Sequence, residues 1–122
     1  MIHGAVTIDE AVVPLKVRGP GGSEIDVEAV VDTGFTSSLA LPAATIASLG
    51  LVFQSTGAAG LADGSQCQFA IYAAEVLWMG VWCPVLVYEL GNEALLGFEL
   101  LAGNSLTMDV TPGGMVEIVP LP

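Results

Sequence analysis

The stretch "AVVDTGFTSSLALP", Ala29 to Pro42, decides how the rest of the chain is read. Upstream, "EIDVEAVVD" alternates Ile25, Val27 and Ala29 on one face with Asp26 and Glu28 on the other, then becomes wholly apolar at Val30 and Val31. That pattern predicts a half-solvated strand running into the interior, with Asp32 at its buried end. Thr33 adds a hydroxyl there, and Gly34 permits close backbone approach. Downstream, "PAATIASLG" places Pro42 at a first helical position, Ile46 and Leu49 three apart, and Gly50 at the stop, so a short helix is expected. Asp32 is then either a working acid on a rigid strand end or a carboxylate in an ordinary turn.

The turn signals recur at short intervals: "GPGGS" at 19–23, "ADGS" at 62–65, "MG" at 79–80, "GNE" at 91–93 and "TPGG" at 111–114. β-branched and apolar segments of strand length separate them, so a mostly β chain of antiparallel hairpins is expected. "QSTGAAGLADGSQCQF" is small and Gly-rich around Asp63-Gly64, which predicts a tight hairpin with Leu61, Ala62, Asp63 and Gly64 near its tip. Pro84 makes its segment an edge or a bulge. Trp78 and Trp82, four apart, share a face in a strand reading. "GFELLAG" reads as a second short helix, and "SLTMDV" with "MVEIV" as a closing hairpin. A weak internal echo links "AVVDTGF" at 29–35 to "ALLGF" at 94–98, as if two similarly bent halves met at one place.

At 122 residues the chain is long enough for one core and too short for two, so a single domain over 1–122 is expected. Hydrophobic residues make up 53% and charged residues 12%, an apolar excess that suggests some surface is covered by another copy. The formal net charge of −11 disfavours nucleic acid and anionic lipid as partners. No apolar run has membrane-spanning length and no secretory signal precedes the first strand, so a cytoplasmic, non-membrane protein is the default expectation. Cys67 and Cys83 fit no metal or redox spacing and read as small buried or half-buried residues rather than a bridge.

Missing residues thin the possible chemistries. The sole histidine, His3, lies near a terminus, so Ser-His-Asp and Cys-His catalysis lack a base. No His and Cys cluster suits zinc, and "GPGGS" lacks the Lys-Ser/Thr of a phosphate loop, so no metal or other cofactor is expected. Carboxylate chemistry remains. Two Asp side chains about 3 Å apart share one proton, so one activates water while the other donates to the substrate carbonyl.

"VVDTGFTSSLALP" together with "ALLGFELLAGNSLTMDV" resembles the retropepsin-like aspartic proteases, specifically the small bacterial single-domain type, over nearly the whole chain. The resemblance implies a closed acid-protease β-barrel with one or two short helices and a symmetric homodimer contributing one Asp from each chain. It implies that Asp32 is the catalytic Asp, that Thr33 braces the two catalytic loops across the axis, and that Gly34 forms the close-packed turn. Leu95, Leu96 and Gly97 would support that loop. Leu61 to Ser65 would be a flap closing on a peptide or unfolded protein substrate. Phe35 departs from the best-known members, which carry Ala or Ser there, and would either narrow a substrate pocket or fill the core. "MVEIV" would interleave with the second copy. With one Asp-Thr-Gly per chain, a two-fold axis is the simple way to assemble a pair, and dimerisation and activity are expected to rise as pH falls toward about 5. The competing expectation is a catalytically silent peptide-binding or dimerisation module of the same fold.

Overall fold

The computed structural model describes residues 1–122. Ten strands and two helices follow in the order β1 (Ile2–Val6), β2 (Ala11–Arg18), β3 (Glu24–Val31), β4 (Leu39–Leu41), α1 (Ala43–Leu49), β5 (Val52–Gly60), β6 (Gln66–Trp78), β7 (Val81–Glu89), β8 (Ala94–Leu96), α2 (Phe98–Leu101), β9 (Asn104–Met108) and β10 (Met115–Pro120). Neighbouring strands run β5-β6-β7-β4-β8-β3-β2-β1-β10-β9, and β6 also pairs with β2. That extra pairing closes β2, β6, β7, β4, β8 and β3 into a six-stranded barrel. A closed barrel leaves no edge within the ring.

The alternation in β3 is the one its sequence requires: Glu24, Asp26 and Glu28 are exposed, whereas Ile25 and Val27 are half-buried and Ala29 is buried. On β2, Val13, Leu15 and Val17 turn inward. β4 is buried at Leu39, Ala40 and Leu41 because β7 and β8 flank it on both sides, which is why its run is continuously apolar. Eighteen buried residues form one continuous core cluster, drawn from every strand except β5, β7's outer half and β9, and from both helices.

The barrel closes where β2 meets β6, with Val17 facing Val76 and Arg18 facing Glu75. Arg18 Nε and Nη2 donate to Glu75 Oε1 at 3.2 and 3.0 Å, and its guanidinium lies 4.1 Å from the centroid of the Trp82 ring. One side chain thus ties β2 to both β6 and β7. The echo segments also find a physical meaning: Val30 and Val31 on β3 lie beside Leu95 and Leu96 on β8 as parallel neighbours.

Several local expectations shift. Pro42 is the N-cap of α1 (ψ 154°), one residue before the helix, while Ile46 and Leu49 are buried and Gly50 ends it in the left-handed region (φ 62°). The second helix is a single turn. Trp78 and Trp82 do not share a face: Met79 and Gly80 (φ 51° and 81°) turn the chain between them, so Trp78 opposes Val81 and Trp82 opposes Leu77. Pro84 pairs with β6 through Glu75, but β4 joins β7 only from Val87 onward, so the proline sits at a local edge. Cys67 is exposed on β6 and Cys83 half-buried, both as free thiols. "MVEIV" lies in β10, bonded within the chain to β1 on one side and to β9 on the other. It has no free edge with which to interleave. No helix is long and apolar enough to cross a membrane.

Because Arg18 closes the ring through half-exposed contacts, Arg18→Ala is expected to lower unfolding free energy by about 1–2 kcal/mol, the sum of a stacking contact and a partly screened ion pair. Urea titration checks this, with Lys16→Ala, whose contacts to Glu24 and Asp26 exceed 3.5 Å on the surface, as the near-neutral comparison.

Candidate active site

β8 lies between β3 and β4, so the segment leaving β3 must pass around the end of β8 to reach β4. Residues 32–38 make that passage, and their backbone is fastened at each step. Asp32 N donates to Leu96 O (2.9 Å), Gly97 N to Ser38 O (2.9 Å), Phe98 N to Phe35 O (2.7 Å) and Glu99 N to Ser37 O (3.3 Å). Ser38 Oγ adds a 3.3 Å bond to Glu99 Oε1. Ser37 and Ser38 are buried, and these bonds satisfy both their carbonyls and the Ser38 hydroxyl.

The passage is tight at one point. A Cβ on Gly97 would stand 1.9 Å from Ser37 O and 2.7 Å from the Phe35 ring, so no other residue fits without moving backbone. Of the three residues expected to support the Asp-Thr-Gly loop, Leu96 accepts the Asp32 amide bond and Gly97 packs on the following Phe35–Ser37 segment, whereas Leu95 lies beside Val30 within the sheet.

Asp32 is half-buried at the strand end. Its Oδ1 accepts a 3.0 Å bond from Gly34 N, and its carbonyl accepts one from Phe35 N at 3.1 Å. The carboxylate is therefore aimed by its own turn, while no other hydrogen bond within the chain reaches it. Thr33 and Gly34 are exposed, and the Thr33 hydroxyl makes no hydrogen bond within the chain. Thr33 and Val31 line a cavity of about 460 Å³ with Ile8, Glu10, Met108 and Val110. At its rim, half-buried Glu10 has its pKa raised above the ordinary 4.5, first by desolvation, then by neighbouring Glu93 and less by Asp9.

Phe35 is half-buried and meets Tyr88 of β7 edge-on at 5.5 Å, and Tyr88 stacks on Phe69 of β6 at 4.8 Å. Phe69 opposes Gly57 across the β5–β6 hairpin. This aromatic row links the Asp32 loop to the hairpin that carries Leu61, Ala62, Asp63 and Gly64 at its tip. The structure brings Asp32, Thr33, Gly34 and Phe35 together on one loop. It places Leu61–Gly64 on a separate projection, with no hydrogen bond between the two groups.

The hairpin tip is wider than the Asp-Gly pair implies. Gly64 N donates to Leu61 O (3.0 Å) and Leu61 N to Ser65 O (2.8 Å), with Gly64 at φ 85° as the left-handed residue closing the turn. Asp63 Oδ1 accepts from Ser65 Oγ (2.6 Å) and Ser65 N (2.9 Å), and these bonds hold its pKa below the ordinary 3.8. Residues that the sequence reading passed over are Ser37, Ser38, Glu99, Phe69 and Tyr88. The two serines carried a signal, adjacent hydroxyls inside an apolar run that needed partners; the others depend on long-range register.

Gly97→Ala is expected to cost about 3 kcal/mol or more in thermal or urea unfolding, since both atoms it meets are fixed. Gly21→Ala, in open space, should change stability by no more than about 1 kcal/mol. A second outcome concerns pH. Glu10 has a raised native pKa, so its ionisation opposes folding: the penalty begins as pH rises past 4.5 and is complete above the native value. Glu93→Gln removes its main charged neighbour, so the urea midpoint should fall less between about pH 4 and pH 7 than in wild type.

No protein-family model matches the sequence, nor does any curated protein. Among solved structures, a retropepsin-like aspartic protease from Rickettsia conorii matches with a TM-score of 0.55 and 14% identity, covering 98% of this chain and 93% of that one. Strand order, the ring closure and this match agree: the chain has the retropepsin-like fold, a closed, mostly β barrel with two short helices.

Proposed function

We propose that the chain is an aspartic endopeptidase that works as a homodimer, with Asp32 of each copy forming one catalytic pair. The observation that carries this reading is the Asp32 loop itself: a half-buried carboxylate at the end of an interior strand, aimed by Gly34 N, on a loop locked to β8 and α2. An ordinary turn carboxylate needs no such anchoring. The retropepsin-like fold supports the reading at the level of architecture.

Two Asp32 carboxylates facing each other across a two-fold axis share one proton. The ionised member takes a proton from a water molecule as that water attacks the scissile carbonyl carbon. The protonated member donates to the carbonyl oxygen, giving a neutral tetrahedral diol. Proton transfer to the amide nitrogen then expels the amine, and no covalent enzyme intermediate forms. Thr33, exposed and without a partner in its own chain, braces the loops against each other. The substrate is a peptide or unfolded segment bound extended beneath the β5–β6 hairpin, with Leu61, Ala62, Asp63 and Gly64 closing over it. Phe35, fixed by Tyr88, forms an aromatic wall beside Asp32 and restricts the side chain accepted there.

The test is cleavage of a mixed peptide pool by wild type and Asp32→Asn, each confirmed as a dimer, across about pH 4 to 7. Wild type should cut, faster on the acid side of that range, and the variant should be slower by about 10²–10⁴-fold or more. A wild-type dimer that cuts nothing at any pH would instead fit a catalytically silent peptide-binding module.

A further inference from the structure

The strand order ends at two free edges, β5 and β9. β5 belongs to the projecting hairpin and its pairing slips between Phe53 and Ser55, an irregularity that discourages another strand from adding. β9 has none of the usual protections: Asn104–Met108 contains no proline and no charge, and its register with β10 is unbroken.

The direction of its free groups follows from two bonds. Asp109 N donates to Met115 O (2.9 Å) and Leu121 N to Gly103 O (3.0 Å), which fixes the alternation of the β9–β10 ladder. Ser105 and Thr107 turn their amides toward β10, so Asn104, Leu106 and Met108 turn theirs to the open side. The side chains of Ser105 and Thr107 are exposed, whereas Leu106 and Met108 pack against the core.

We propose that the open edge of β9 is the seam of the homodimer, pairing antiparallel with β9 of a second copy about a two-fold axis at Leu106. This rests on the homodimeric reading above. Full self-overlap sets Leu106 opposite its own counterpart, Asn104 opposite Met108 and Ser105 opposite Thr107. Two features connect the seam to the site. Met108 shares a cavity with Thr33, so pairing here draws the two Asp32 loops toward the axis. Ile8 and Val110, 89% and 83% exposed on the same cavity, supply apolar surface for the second copy to cover.

The seam has a consequence for assembly. β1, β10 and β9 complete their sheet within one chain, so the copies meet edge to edge and exchange no strand. The protomer folds alone and the dimer forms reversibly, which makes activity depend on protein concentration.

Sedimentation equilibrium of wild type, Ser105→Lys/Thr107→Lys and Ser105→Lys/Thr107→Glu tests the register, and both substituted positions are exposed, so the fold is preserved. The double-lysine variant sets like charges opposite each other at both crossings and should raise the dimer Kd about tenfold, although it lowers the overall negative charge. The Lys/Glu variant sets opposite charges there and should dimerise at least as tightly as wild type. A double-lysine variant that dimerises as well as or better than wild type would overturn the seam, as would a wild type that stays monomeric at high concentration. The two proposals fail separately: a charge-sensitive dimer without proteolysis removes the enzyme and keeps the seam, while proteolysis by a dimer indifferent to these changes removes the seam alone.

Discussion

The contact between Gly97 and Ser37 is the constraint on which the site depends. A segment that leaves β3 and must enter β4 has to travel around the end of the strand lying between them. It can do so closely only where that strand ends in a residue without a side chain. The carbonyl of Ser37 occupies the place of the missing Cβ, and four backbone hydrogen bonds from Asp32, Gly97, Phe98 and Glu99 follow from that proximity. A carboxylate at the start of such a segment has little freedom left. Orientation by backbone costs nothing at the moment of reaction, which is what acid–base chemistry by a carboxyl pair requires.

Around that fixed loop the molecule is graded in rigidity. The ring is closed by Arg18, Glu75 and Trp82 on the side where β2 meets β6. The β5–β6 hairpin projects from it with small, exposed residues, few of which have packing partners. Phe35, Tyr88 and Phe69 bridge the two regimes, so a movement of the hairpin base is felt by the aromatic ring three residues after Asp32.

Much of this was legible in the chain. The two-residue alternation of β3, the all-apolar Val30 and Val31, and the position of Asp32 after them are local features that a strand imposes on any sequence. The echo between "AVVDTGF" and "ALLGF" suggested two bent segments meeting at one place; that they meet as parallel neighbours is seen only in the structure. What could not be read was long-range register. The pairing of Arg18 with Glu75, and the stacking of Phe69 on Tyr88, join residues far apart in sequence with no local mark. Trp78 and Trp82 misled because a two-residue turn at Met79-Gly80, with Met79 itself in the left-handed region, inverts the facing inferred from an unbroken strand. "MVEIV" looked free to interleave only because its two flanking strands, β1 and β9, come from opposite ends of the chain.

The central claim is that each chain carries half of a catalytic pair, and subunit mixing addresses it most directly. Wild type and Asp32→Asn are combined in equal amounts, left to exchange, and assayed for peptide cleavage at constant total protein. If both carboxylates of a pair are required, only dimers with two wild-type chains cut, and activity falls to about a quarter of that of undiluted wild type. A fall to only about half would mean that each chain acts through its own Asp32, and would contradict the account.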